Sequence, residues 1–259
     1  MTLPTASAPS DTAIAWCLLD AQGRELSSSE ADRAFYAAST IKLHVLLAAL
    51  RAADRGELDL EAEVAATRTF TGEGGASFTL AGDHLDPTHP PEGEPVRVRE
   101  LLVRMIDRSS NEATDHVLSL VGLDAVAAVI ADLDLPATRV ERMIGDGAAL
   151  AAGRTNETSA RDLARTMDAI MRSGSALARE ALAAQRIRII GRAVRPGVPV
   201  LSKSGWVDGF RHDVAAVGGG ADEDRPLVLA VLTGGWAEEE ADERILARTR
   251  ELLPAEVLR

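Results

Sequence analysis

The chain has 259 residues, 46% of them hydrophobic, enough to bury a substantial core either as one large domain or as two halves sharing a cleft. A formal charge of −12 with no Lys/Arg-rich run excludes nucleic acid and anionic membranes as partners, because phosphate binding needs a basic surface, and leaves a small soluble ligand as the expected one. The single cysteine, Cys17, excludes an internal disulfide and a thiolate metal site, and no stretch approaches the ~18 apolar residues of a membrane span.

In chain order, residues 1 to 10 carry no basic or apolar run that marks a secretory leader, so the sequence as read suits the cytoplasm, or secretion where a leader has been removed. Residues 13 to 19 read as a buried strand that includes Cys17, Asp20 to Gly23 as a turn, and the next residues as a more polar strand. From Thr40 to about Ala53, Ile41, Leu43, Val45, Leu46, Leu47, Ala49 and Leu50 surround nearly the whole circumference of a helix, which predicts burial on most sides. Residues 67 to 95, rich in Gly, Pro, Thr and Asp, are expected to be loops. Helical patterns follow at 97–106, 111–121 and 123–132, with Ser109 and Ser110 placed as caps before Asn111. A Gly/Ala-rich connection then leads to a cap signal at Thr158-Ser-Ala-Arg-Asp and a helix to about Met171. Strands are expected at 198–204, 213–217 and 226–233, with a turn over 218–224, and an amphipathic helix over 238–253 ends the chain.

Strands at both ends with helices between them predict an α/β (α+β) fold. One antiparallel sheet formed from both termini and flanked by helices takes residues 11–52 plus 190–259. An all-helical domain is inserted over 53–189, and the cleft between the two is the expected active site.

Nearly all the basic residues are Arg; the only lysines are Lys42 and Lys203, and the only asparagines Asn111 and Asn156. Arg stays protonated, whereas a desolvated or crowded Lys can lose its proton, so both lysines are candidates for proton chemistry. Ser39-Thr-Ile-Lys42 puts a serine at the first turn of the buried helix, with the amine three residues on along the same face. Taken alone this is weak, since about one S-x-x-K arises by chance in a chain of this length. Ser109-Ser-Asn111 could project a hydroxyl and an amide into the cleft, or simply cap a helix. Lys203-Ser-Gly205 sits at the end of a predicted strand, where glycine lets a substrate lie along the backbone; the N–H groups of Trp206 and Ser39 could together form an oxyanion hole.

In this order, S-x-x-K, S-x-N and K-[ST]-G resemble the motif set of class A β-lactamases and penicillin-binding proteins. The segments 35–43 and 105–115 are similar to the family's surroundings of its first two motifs. Residues 138–142 and 156–159 resemble the two ends of its omega loop. The resemblance implies a β-lactamase/transpeptidase-like fold and an acyl-enzyme mechanism without cofactor or metal, in a monomer acting on a small molecule. It makes Ser39 the nucleophile, Lys42 its proton acceptor, Ser109 a relay to the leaving nitrogen, and Asn111 the holder of the acyl amide. Lys203, Ser204, Gly205 and Arg211 would bind the substrate and its carboxylate.

The likeness breaks in the omega loop. Aligned without gaps, Ile144 occupies the place of the family's water-activating glutamate and Ala148 that of its asparagine, and Ser110 replaces an aspartate of the second motif. Asp146, two residues on, and Glu141, in a shifted register, are the remaining candidates for a deacylation base. The expectation is acylation by β-lactams with slow deacylation. The rival readings are a D-amino-acid peptidase or esterase of the same fold, and a sensor or inactive relic. A Ser-His-Asp arrangement using His212-Asp213 is a further alternative.

Overall fold

The computed structural model describes residues 11–82, 84–219 and 226–259. Ala13–Leu19 (β1) and Glu25–Ser29 (β2) are followed by Phe35–Tyr36 (β3), a 3-10 turn at Ala38–Ile41 and the helix Lys42–Asp54 (α1). Glu63–Ala65 (β4), Thr69–Thr71 (β5), Ser77–Thr79 (β6) and Pro95–Arg97 (β7) precede Val98–Asp107 (α2), Asn111–Val121 (α3) and Leu123–Asp132 (α4). Then come Arg139–Val140 (β8), Gly147–Ala151 (α5), Asn156–Thr158 (β9), Ala160–Arg172 (α6) and Ala176–Ala183 (α7). Val200–Val207 (β10), Phe210–Val217 (β11), Leu227–Gly234 (β12) and Glu238–Leu252 (α8) complete the main elements.

Both ends of the chain meet in a five-stranded sheet of order β10-β11-β12-β1-β2, antiparallel throughout. Alternation along the strands sorts their side chains between two faces. On β12, Val228, Ala230 and Leu232 join the large core under the helices, while Leu229 and Val231 meet Ile245 and Leu246 of α8 on the other face. Helix α6 lies on the first face through Leu163, Ala164, Met167, Ile170 and Met171, a stripe at helical spacing, and its N-terminus is capped by Ser159, which accepts from the Asp162 N–H. Helix α1 is enclosed, as its all-round apolar pattern requires: ten of its 13 residues are buried. The same core cluster runs from the sheet through α1 and α6 to α2 and α3.

Sequence and structure differ in the bounds of the last strands. β10 continues past Lys203-Ser-Gly to Val207, and β11 begins at Phe210 instead of near Asp213. The cause is Asp208-Gly209, a two-residue turn with Gly209 at φ 79°, which pairs Val207 with Phe210 and draws Arg211 and His212 into the sheet. The inserted segment 53–189 is not all-helical as expected: β5 and β6 form a small hairpin within the expected loop region, β4 pairs with β7, and β9 pairs with β8 and with β3. Helix α7, capped by Ser175, has no counterpart among the expected elements, because its alanine-rich sequence lacks a strong period. From Gly220 onward the turn expected over 218–224 lies outside the described residues, as do residues 1 to 10. No single helix among the described residues is long and apolar enough to cross a membrane.

Candidate active site

Ser39 lies inside the 3-10 turn that opens α1, and Lys42 is the first residue of that helix, so the spacing of three puts hydroxyl and amine on one side. Ala38, just before the serine, has φ 48°, a left-handed conformation that costs a non-glycine residue about 1 kcal/mol and holds the turn in a fixed pose. Ser109 also has a left-handed backbone, φ 57°. This turns both its carbonyl and its hydroxyl toward Lys42, while Ser110 serves as the cap of α3 by accepting from the Ala113 N–H.

Lys42 Nζ is surrounded by four oxygens: Ser109 O at 2.7 Å, Asn111 Oδ1 at 2.8 Å, Ser109 Oγ at 3.1 Å and Ser39 Oγ at 3.2 Å. The two nearest can only accept, and a neutral amine has two protons for them. That leaves its lone pair for a hydroxyl proton, which Ser39 can supply. Burial, reinforced by the neighbouring Lys203 charge, holds Lys42 well below the ordinary lysine range; Asp115 and Glu112 only partly oppose this. Asn111 Nδ2 donates to His84 O at 3.2 Å, so both ends of this amide are engaged.

Lys203 reaches the same centre from β10. Its Nζ lies 3.1 Å from Ser109 Oγ and 2.6 Å from Ser204 O, and burial pushes it down to about 7, with Asp213 acting in the opposite direction. Asp213 is itself pushed up to about 7 by burial, while its Oδ2 accepts from the Ile190 N–H. β10 is an edge strand, and Gly205 brings it against the serine turn: a Cβ there would stand 3.0 Å from Thr40 Cγ2 and 3.1 Å from Ala37 O. In a two-residue hairpin the residues flanking the turn exchange hydrogen bonds, so Trp206, one step back from Val207, directs its N–H away from β11 toward the open edge.

The two lysines lie beneath a cavity of about 310 Å³ and are themselves fully buried. Ser39, Ser109, Asn111, Ser204, Trp206 and Arg211 all line it. Arg211 Nε is 2.7 Å from Asp242 and its Nη1 is 3.1 Å from Glu238, so two carboxylates of α8 already offset its charge. The opposite wall is the loop between β8 and β9, closed at its neck where Asn156 accepts from the Glu141 and Arg142 amides and donates to Arg142 O.

The two candidate bases do not join this cavity. Asp146 caps α5 by accepting from the Ala149 N–H, and it also receives the Glu73 N–H at 2.8 Å. Glu141 accepts from the Thr155 N–H. Ile144 and Gly145 face the cavity instead, and Asp208, at the β10–β11 turn, is the only carboxylate among the described lining residues. The His212 alternative fails on geometry: its Nδ1 accepts from the Thr233 N–H and its Nε2 meets Tyr36 O at 2.9 Å, so neither nitrogen is left for Ser39.

Three contributors were not singled out from the sequence. Asp115 holds the loop wall by accepting from the Ile144 N–H at 2.8 Å, its carboxyl pushed well above the usual range by burial. Glu112, fully buried, receives the Asp86 N–H and the Ser110 hydroxyl and so ties the 84–86 segment to the second motif. Tyr36 lines the cavity and accepts from Arg142. A buried acid such as Glu112 in a capping position looks like ordinary helix chemistry in sequence; the Asp208-Gly209 pair alone was a readable signal.

An antiparallel sheet packed with helices, with a serine and two lysines converging at its edge strand, is a fold of the β-lactamase/transpeptidase-like class. It is similar to the β-lactamase from Sphaerobacter thermophilus DSM 20745, with 25% identity, 94% of this chain and 93% of that one covered, and a TM-score of 0.76. It is likewise similar to a β-lactamase from Xanthomonas campestris pv. campestris (20% identity, 92% and 90% covered, TM-score 0.75) and to PBP-A (20% identity, 94% and 89% covered, TM-score 0.72). Comparison with curated proteins finds no significant match. The chain belongs to the β-lactamase enzyme family, whose description it matches over residues 4–252.

Proposed function

We propose that this protein is a serine hydrolase that opens β-lactams or related acyl substrates through an acyl-enzyme on Ser39. The observation that carries this reading is the environment of Lys42, whose two best acceptors use the protons of a neutral amine and leave its lone pair facing the Ser39 hydroxyl. In the forward step Ser39 Oγ attacks the carbonyl carbon while its proton passes to Lys42 Nζ. The backbone N–H groups of Ser39 and Trp206 receive the developing oxyanion. As the oxyanion re-forms the carbonyl, the carbon–nitrogen bond breaks; Ser109, which contacts both amines, gives its proton to the leaving nitrogen and takes one from Lys42, so Lys42 is neutral again. Lys203 and Ser204 hold the substrate carboxylate, with Arg211 nearby and Asn111 against the acyl amide.

Release of the acyl group is slow in this scheme, because Ile144 stands on the loop wall where a water-activating carboxylate would be needed and Asp146 and Glu141 are bound elsewhere. That same observation favours a second reading, a peptidase or esterase of this fold acting on D-amino-acid peptides. Intact mass after mixing with benzylpenicillin tests the proposal. An adduct located at Ser39, persisting for minutes or longer, supports it; many rapid turnovers of nitrocefin refute slow release; and no adduct at all identifies an inactive relic.

A further inference from the structure

The β8–β9 loop wall of the cavity contains a cation that makes no ion pair among the described residues. Arg142 is 2% exposed, and among the described residues no carboxylate pairs with it. Its Nη1 donates to Met143 O and its Nη2 donates to the Tyr36 hydroxyl at 2.9 Å, while its Nε is buried with no acceptor. Asp115 is the carboxyl whose charge Arg142 feels, but it makes no ion pair with Arg142 and burial pushes it toward its neutral form, so the guanidinium is left short of negative charge until an anion comes near. Asn156, at the loop neck, is neutral and engages the Arg142 backbone instead of its side chain.

Tyr36 links this charge to the open cavity. Its ring lies 5.9 Å from the Arg142 guanidinium, and its oxygen accepts the Arg142 proton, which leaves its own O–H to be donated. Tyr36 and Arg142 both line the cavity, and no acceptor for the Tyr36 proton occurs among the described residues. A hydroxyl that accepts from a cation is a stronger donor, and its preferred acceptor is an anion.

We propose that Tyr36 and Arg142 form a second anion subsite, which selects substrates carrying a carboxylate on the acyl portion. This rests on the acyl-enzyme reading for its orientation: with the scissile carbonyl at Ser39 and the ring or terminal carboxylate at Lys203 and Ser204, the acyl substituent points to the loop wall. The charges at the two ends favour the same placement. Asp208 at the hairpin end repels a second anion, and Arg211 there is already offset by Asp242 and Glu238. The natural substrate is thus an acyl compound with a free carboxylate near its acyl carbon, such as a peptide of a dicarboxylic amino acid.

Benzylpenicillin and carbenicillin, which differ by one carboxylate on the acyl side chain, are the probes. Calorimetric titration of Ser39→Ala protein measures both affinities without acylation, and intact mass with the wild-type chain measures acylation separately. Carbenicillin is expected to bind about tenfold more tightly, the worth of one charge-assisted hydrogen bond. The ratio is expected to fall toward one in Ser39→Ala/Tyr36→Phe, which removes only the donor, and in Ser39→Ala/Arg142→Gln. Equal affinities, or a preference that survives Tyr36→Phe, would overturn the subsite. A preference in binding with no adduct in the wild-type chain would instead overturn the acyl-enzyme reading and leave the subsite standing.

Discussion

Lys42 Nζ and Lys203 Nζ each lie 3.1 Å from the same oxygen, the hydroxyl of Ser109. One neutral atom therefore bridges two buried amines from different parts of the chain, and neither can be fully charged without disfavouring charge on the other. The hydroxyl accepts from Lys203, can accept from Lys42 once that amine has taken the Ser39 proton, and still has its own proton to donate into the cavity.

Removing that bridge should affect proton transfer more than folding. Ser109→Ala is expected to slow acylation by benzylpenicillin by about 10²-fold or more, the range for loss of a positioned proton carrier. Its melting temperature should stay within a few degrees of the wild type, as a hydrogen bond is worth only about 1 kcal/mol. Stopped-flow quenching followed by intact mass checks this; an unchanged acylation rate would remove Ser109 from the relay.

Lys203, pushed down to about 7, gives the acylation rate an alkaline limb. The sign follows from the ligand. A carboxylate is attracted to the ammonium, present below about pH 7, and loses that attraction as the amine becomes neutral above it. The rate constant at low ligand concentration should therefore decline between about pH 7 and about pH 9. Lys203→Arg, which cannot deprotonate in this range, should flatten the limb even though its geometry lowers the overall rate. A rate that climbs steadily across the same range in the wild-type chain would show that Lys203 remains charged.

Much of this site was legible in the sequence because rare residues fell into ordered spacings. Lys42 and Lys203 stand out in an arginine-rich chain, and a spacing of three on a helix is local geometry. The helices at Val98–Asp107, Asn111–Val121, Leu123–Asp132 and Ala160–Arg172 were visible through period and caps. What was not legible depends on contacts distant in the chain. Whether Asp146 faces Ser39 or caps α5 depends on where residue 73 sits, and Arg142 becomes an unpaired charge only once the loop has closed on Asn156. The left-handed backbone of Ala38 and Ser109 is likewise imposed by the surroundings, since neither residue type prefers it.

Gly205→Ala tests the close approach of edge strand and serine turn. The added methyl would meet Thr40 Cγ2 at 3.0 Å and Ala37 O and Thr40 N at 3.1 Å, distances that force the turn to shift. A loss of stability of about 1–3 kcal/mol is expected, together with a larger proportional loss of acylation, because the Ser39 and Trp206 N–H groups would separate. Chemical denaturation and acylation kinetics on the same sample check it. Full activity in the Gly205→Ala variant would mean that strand and turn are less tightly coupled than their spacing requires.

Asp146 is expected to behave as a capping residue. Asp146→Ala removes the acceptor for the Glu73 and Ala149 amides and should lower stability by about 1–2 kcal/mol. The lifetime of the Ser39 adduct should be unchanged at a temperature where the variant is folded. An adduct that becomes markedly longer lived would restore Asp146 as a deacylation base.

Ile144→Glu supplies the carboxylate that the loop wall lacks. The backbone at this position is fixed by Asp115, so a side chain there starts from a defined place on the cavity surface, half-buried and on the Ser39 side of the loop. If slow release reflects the absence of a base on this wall, the glutamate should shorten the adduct lifetime by about 10²-fold or more and raise nitrocefin turnover accordingly. Ile144→Gln, equal in size but unable to take a proton, should leave the lifetime near that of the wild type. Glutamate at this position would also give Arg142 a counter-charge, so the preference for carbenicillin over benzylpenicillin should decline in the same variant. Equal lifetimes for the glutamate and glutamine variants would show that release is limited by something other than a missing base, such as exclusion of water from the acyl carbon by the loop itself.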